Sequence, residues 1–235
     1  MIIMPAGSSG WFWHCLARET GCLGHLYSPT DQRGPWPWFP YALDNGSFNC
    51  WNQSENTFDY DKWEKNEVEW KKLLFWSQCN NQKAKWAIVP DVPGNAEQTL
   101  DRWNIYSPTV LKAQIPLAIA VQDGMDVKDV KGLSPVPSVI CVGGTTEFKW
   151  STIEMWAEGF PRVHVLRCNS PEKLEYLQCL PTVESCDGTG WNRGSRDQTL
   201  GLEKFCSKHK KSNLTHAWMT PFVSRKINKK QITFS

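Results

Sequence analysis

Eight short apolar runs recur along the chain, each closed by Gly, Pro, Asp or Asn: IIMPAG (2–7), HLYSP (25–29), YALDNG (41–46), WAIVPDVPG (86–94), LAIAVQDG (117–124), VICVGGT (139–145), VHVLRCN (163–169) and VESCDGTG (183–190). They are apolar on consecutive positions, part of them β-branched, and too short for helices, which predicts strands buried on both faces. Helical periodicity fills several gaps. In 60–79 Trp63, Val68, Trp70, Leu73 and Leu74 recur at helix-like intervals with charges between them. Segments 96–113 and 170–180 read the same way, the latter opened by Ser170 as N-cap with Pro171 and Glu172 in the first turn. LGLEKFCSKH (200–209) is the last apparent helix. Strands alternating with helices imply βαβ units and a parallel sheet, and eight of them predict a single-domain α/β fold, a (β/α)8 barrel. The runner-up is an open doubly wound sheet.

Length agrees with that count: 235 residues, 40% hydrophobic, suffice for one large domain. The expected boundaries are a barrel over 1–206 and a basic segment over 207–235. Fourteen tryptophans are more than usual. Composition favours core positions for them, although indoles also make flat platforms for bases. The nine cysteines follow no repeating spacing and are odd in number. The first residues lack a basic stretch, and no segment nears the roughly 20 apolar residues that span a bilayer. The expectation is a protein with free thiols in a reducing cytoplasm, bacterial or that of a phage-infected host, without membrane association.

The net charge of +2 hides an asymmetry. Residues 204–235 hold eight Lys or Arg and no acid, leaving 18 basic against 24 acidic residues over 1–203. A basic end on an acidic body fits a polyanion partner such as nucleic acid, or only a solvated tail.

In a barrel, functional residues stand at the carboxyl ends of strands. Asp44, Asp91, Gln122, the pair Gly143 and Gly144, and Asp187 each follow an apolar run directly. One Asp after a strand is ordinarily an N-cap or Asx-turn, and a Gly pair ordinarily a turn. All of them at the same strand end exceed what turn chemistry explains. Two carboxylates, one as nucleophile and one as acid/base, cleave a glycosidic bond with retention. A third carboxylate, an amide and exposed Gly amides can read the edge of a heterocycle. The set suits a purine base bonded to a sugar.

The segments DNGSF (44–48), VPDVPGNAEQTL (89–100), VQDG (121–124), VGGTTEFKW (142–150), HVLRCNSPEKL (164–174) and SCDGTGWNRG (185–194) together resemble the tRNA-guanine transglycosylase superfamily. The chain looks most like the compact phage and bacterial members that place 7-deazaguanine bases in DNA, over about 4–205. The resemblance implies Asp187 as the nucleophile on the sugar C1′ and Asp44 as general acid/base. It implies Asp91 and Gln122 as readers of the guanine edge, with Gly143 and Gly144 offering amides to the base carbonyl. Arg193 and Arg196 would hold phosphates, and Lys208, Lys210 and Lys211 would add nucleic-acid contacts from the basic end. His164 reads as a strand-end structural residue. The implied partners are DNA and a free 7-deazaguanine base of the preQ0 type.

Departures narrow the expectation. The tRNA enzymes carry a C-x-C-x-x-C…His zinc site after the last strand, and here only Cys206, His209 and His216 stand there. No cofactor is expected, zinc included. DNGSF and GGTTEF also depart from the tRNA enzymes' motifs, which favours a different polynucleotide, DNA. The alternatives are the same exchange on tRNA, and a non-catalytic nucleic-acid-binding subunit of the same fold, which would need neither Asp44 nor Asp187. A metal-dependent hydrolase is disfavoured because His14, His25 and His164 are dispersed.

Overall fold

The computed structural model describes residues 1–5, 11–30, 39–80 and 82–210. In chain order the elements are β1 (Ile2–Pro5), α1 (Trp11–Thr20), β2 (His25–Tyr27), β3 (Tyr41–Leu43), β4 (Trp51–Asn52), β5 (Thr57–Phe58), α2 (Tyr60–Cys79), β6 (Ala87–Ile88), α3 (Ala96–Lys112), β7 (Leu117–Val121), α4 (Val127–Lys131), β8 (Val139–Val142), α5 (Thr146–Gly159), β9 (Val163–Val165), α6 (Pro171–Gln178), β10 (Val183–Gly188), α7 (Gly190–Arg193) and α8 (Arg196–Lys208). All eight predicted strands form, and all are parallel in the order β1-β10-β9-β8-β7-β6-β3-β2.

The two ends of that order meet. Ile3 bridges Leu23 in parallel, with Ile3 N–H donating to the Cys22 carbonyl at 2.8 Å and Gly24 N–H to the Ile3 carbonyl at 2.8 Å. The sheet therefore closes as a (β/α)8 barrel rather than an open doubly wound sheet. Gly24 allows the closure: a Cβ there would stand 2.7 Å from the Pro40 carbonyl oxygen and 2.9 Å from Ile2 Cγ2.

Strand runs are apolar on both faces because each face is covered. Met4, Leu26, Ala42, Trp86, Ile88, Ala118, Ala120, Val139 and Cys141 fill the barrel interior. The larger cluster lies between strands and helices and takes Trp70, Trp103, Trp156 and Trp191, all fully buried. Much of the tryptophan excess is thus core. At the amino end of the strands Trp86 Nε1 donates to Glu184 at 3.2 Å, and Arg162 pairs with the same carboxylate at 2.8 Å. Among the described residues these side chains close that end of the barrel.

The helices start where the sequence places capping side chains. Asp59, Asn95, Thr145, Ser170 and Ser195 each accept from the third following N–H, supplying a partner to an otherwise unpaired donor. In α2, Trp63, Trp70 and Leu74 face the core as expected, but Val68 is 53% exposed. The sequence reading places no helix over α1 or α5 and does not separate the β4–β5 hairpin. α8 runs through the expected 206/207 boundary to Lys208. Among the described residues no helix is long and apolar enough to cross a membrane, and the nine cysteines carry free thiols.

Candidate active site

The carboxyl ends of the strands surround one cavity of about 350 Å³. Asp44, Asp91, Gln122, Gly143, Gly144 and Asp187, all expected from the sequence, line it together with Arg193. Leu26, Ile88, Ala120 and Leu166 give it apolar walls, and its size suits a small ligand.

Asp187 is on β10 opposite Met4 of β1 and is 7% exposed. Its carbonyl accepts from Cys168 N–H at 2.7 Å. Its Oδ1 accepts from Arg167 N–H at 3.0 Å and lies 3.2 Å from His164 Nε2. His164 Nδ1 is 2.8 Å from Ser185 Oγ, and the ring packs on Trp86 with centroids 4.7 Å apart. With the Ser185 hydroxyl donating to Nδ1, the Nε2–H is directed at Asp187. His164 is therefore buried and structural, and what it positions is the Asp187 carboxyl.

Across the cavity Asn45 ties two acid-bearing loops together. Its Nδ2 donates to Asp91 Oδ1 at 2.8 Å and to the Val89 carbonyl at 3.0 Å, while its Oδ1 accepts from Ser47 N–H at 2.7 Å. Asp91 Oδ2 accepts from Gln122 Nε2 at 2.7 Å, and Gln122 Oε1 accepts from Gly94 N–H at 3.1 Å. Gln122 thus spends its oxygen and one amide hydrogen on the scaffold, leaving one hydrogen for a ligand. Behind them the Arg102 guanidinium donates to the Asp91 carbonyl at 3.0 Å and lies 4.7 Å from the Phe58 ring and 4.3 Å from the Trp63 ring. Asn45 and Arg102 carry no strand-end signal in the sequence. Asn45 is within a quoted motif, whereas Arg102 is an ordinary position on a helix.

Electrostatics raise two of the acids. Burial, followed by the negative charges of Asp91 and Asp187, pushes Asp44 up to about 7 from an ordinary 3.8, against the Asn45 and Gly46 amides that pull it down. Burial also raises Asp91, and the Asn45 amide moderates the rise. At neutral pH Asp44 exchanges a proton readily, as general acid/base work requires.

The glycine pair divides its functions. Gly143 N–H donates to the Val121 carbonyl at 3.2 Å, so this amide, expected to be offered to a base, is committed to the backbone. Gly144 has φ +67°, and a Cβ there would stand 2.4 Å from Asp123 Oδ2. Asp123 itself holds Thr145, the cap of α5, at 2.7 Å through its N–H. Two cations missed in the sequence stand beside the pair. Arg167 lines the cavity from a left-handed backbone position, φ 56°. Lys149, 3% exposed on α5, donates from Nζ to the Leu166 carbonyl at 2.7 Å, and burial lowers its pKa.

The expected nucleic-acid contacts divide between two places. Arg193 lines the cavity, and Arg196 opens α8 beside α7. Lys208 ends α8 and pairs with Glu175 at 2.8 Å. His209 follows it, and its carbonyl accepts from Cys22, which precedes β2, at 3.2 Å. Lys208 and Lys210 therefore lie toward the amino end of the strands, away from the cavity, and Lys211 is outside the described residues. Among the described residues no three His, Cys, Asp or Glu group to hold a metal. Cys206 and His209 are within α8 and its cap, and His216 lies outside the described residues. Neither comparison with protein-family models nor comparison with curated proteins gives a match to this chain.

Proposed function

We propose that this chain is a guanine transglycosylase that exchanges guanine in DNA for a free 7-deazaguanine base through a covalent glycosyl-aspartate. The observation that carries the reading is the pair of acids with different surroundings in one cavity. Asp44 is raised to about 7, and Asp187 is oriented through Oδ1 by Arg167 N–H and His164. That is the equipment for retention at a glycosidic carbon.

A guanine stacked in a duplex cannot enter a cavity walled by strand ends, so the nucleotide enters flipped out or single-stranded. Asp187 Oδ2 attacks C1′ and the C1′–N9 bond breaks. The departing guanine takes a proton from Asp44. A 7-deazaguanine then binds in the same place, gives its N9 proton to Asp44, and attacks C1′ from the same face, expelling Asp187. Two inversions give net retention, and the enzyme ends in its starting protonation state. Asp91 supports recognition of the base because each of its oxygens has acceptor capacity beyond Asn45 and Gln122. Gln122 and Gly144 line the same cavity and would supply the donors to the base.

The test incubates the protein with guanine-containing DNA or a matching tRNA and 7-cyano-7-deazaguanine, then digests each polymer to nucleosides for mass spectrometry. Deazaguanine in DNA is the expected result; in tRNA alone it moves the polymer assignment, and in neither it removes the reading. Asp187→Asn should lower exchange at least about 10³-fold while oligonucleotide binding persists. Full activity in that variant refutes Asp187 as nucleophile.

A further inference from the structure

Arg167 touches four residues around the cavity and behind its wall. Its N–H holds Asp187 Oδ1 at 3.0 Å, and its carbonyl is 3.4 Å from Lys149 Nζ. Its Nη2 donates to the Gly144 carbonyl at 2.5 Å. Its guanidinium carbon lies 5.0 Å from the centroid of Phe48, a ring that is 46% exposed on the cavity rim. Arg167 follows β9 and Phe48 follows β3, four places apart in the ring of eight strands. The side chain therefore spans the mouth from one wall to the opposite wall.

Resting on the transglycosylase reading, the geometry points to Arg167 as a gate that a backbone phosphate of the bound polymer opens. Parked, the guanidinium bonds a neutral carbonyl and covers an exposed ring. A phosphate offers the same planar fork a charge-assisted and bidentate partner, roughly twice as strong per hydrogen bond. Three carboxyls line the cavity against two arginines, Arg167 and Arg193, and a polyanion must approach past them. Moving the side chain leaves the backbone in place, so the amide stays on Asp187 while the mouth opens. A free base consequently enters after the polymer, which keeps the covalent step from idling.

The probes are a short labelled single-stranded DNA and radiolabelled guanine, used with the full chain. Arg167→Gly removes the guanidinium and suits the left-handed backbone, so the turn and its amide persist. It should bind the oligonucleotide about tenfold more weakly, with the log–log salt slope shallower by about 0.7, the loss of one phosphate contact. Arg167→Lys should keep the slope and recover part of the affinity. By equilibrium dialysis, guanine should bind the wild type tightly only when a guanine-free oligonucleotide is present, and should bind Arg167→Gly equally well with and without it. An unchanged slope in Arg167→Gly, or wild-type guanine affinity indifferent to the oligonucleotide, overturns the gate. Base exchange by the wild type with an unchanged slope overturns the gate alone. Absence of both exchange and oligonucleotide binding overturns the functional reading with it.

Discussion

Replacing Asp44 by Asn should abolish exchange and stabilise the protein, with a gain that grows with pH. In the fold Asp44 titrates at about 7, against an ordinary 3.8 in an open chain. Between those values the native state keeps a proton that the unfolded state has released, so stability falls as pH rises through that window. At about 1.4 kcal/mol per pH unit the interval amounts to about 4 kcal/mol, fully present above pH 7. The carboxyl is only half-buried. Solvent contact reduces the figure, and about 2 kcal/mol is a fair expectation. Asn keeps the shape and an oxygen for the Asn45 N–H, now 2.9 Å from Asp44 Oδ1, without the charge. For a chain of this size 2 kcal/mol corresponds to about 4–8 °C in Tm. Circular-dichroism melts of wild type and Asp44→Asn at pH 8 and pH 5 measure it. The gain should be smaller at pH 5, where the window is only partly crossed. A variant no more stable than wild type at pH 8, or equally stabilised at both pH values, would refute the electrostatic argument.

The rate should depend on the same group. If protonated Asp44 assists departure of the base, kcat falls about tenfold per pH unit above about 7, and a flat profile to pH 9 assigns the proton elsewhere. His164→Phe retains a ring against Trp86 but removes the nitrogen beside Asp187. Loss of one bond to a charged group, about 1.5–3 kcal/mol, predicts a roughly 10–150-fold drop in kcat with KM little changed. Wild-type kcat there would make His164 a packing residue only. Gly144→Ala puts a Cβ 2.4 Å from Asp123 Oδ2 and 2.7 Å from Phe148 at positive φ, and should lower Tm by about 4–8 °C. An unchanged melt would mean that the turn relaxes freely.

The strands were legible because closure of a barrel buries both faces, so short runs such as LAIAV and VICV carry no polar residue. The strand-end set was legible for a related reason: Asp44, Asp91, Gln122 and Asp187 break apolar runs where the strands end at the cavity. α5 was not legible. It buries Lys149 among its apolar positions and exposes Met155, which blurs an amphipathic stripe. The hairpin at 51–58 has strands of two residues, below any periodic signal. Arg102 and Lys149 act on carbonyls 11 and 17 residues away, and a single sequence does not encode such pairs visibly. Arg167 stood within a motif, but its left-handed backbone belongs to the fold. Gln122 was expected to read a base, and the structure shows most of its amide holding Asp91 and Gly94.

Closure of the barrel has a consequence for how the protein is made. Of the described strands β1 is synthesised before the others, but it pairs with β10, the last of them, in a register that sets Met4 against Asp187. At ordinary translation rates about 10–40 s separate the emergence of the two. Through that interval the first strand lacks one of its two neighbours, and the pairing that completes the ring is the longest-range strand pairing among the described residues. Asp44, Asp91 and Gln122 are already made by then, yet the carboxyl proposed to attack the sugar arrives only with the strand that seals the ring. A nascent chain therefore holds the cavity incomplete, and the proposed site is assembled in one step, when its last wall is laid against its first.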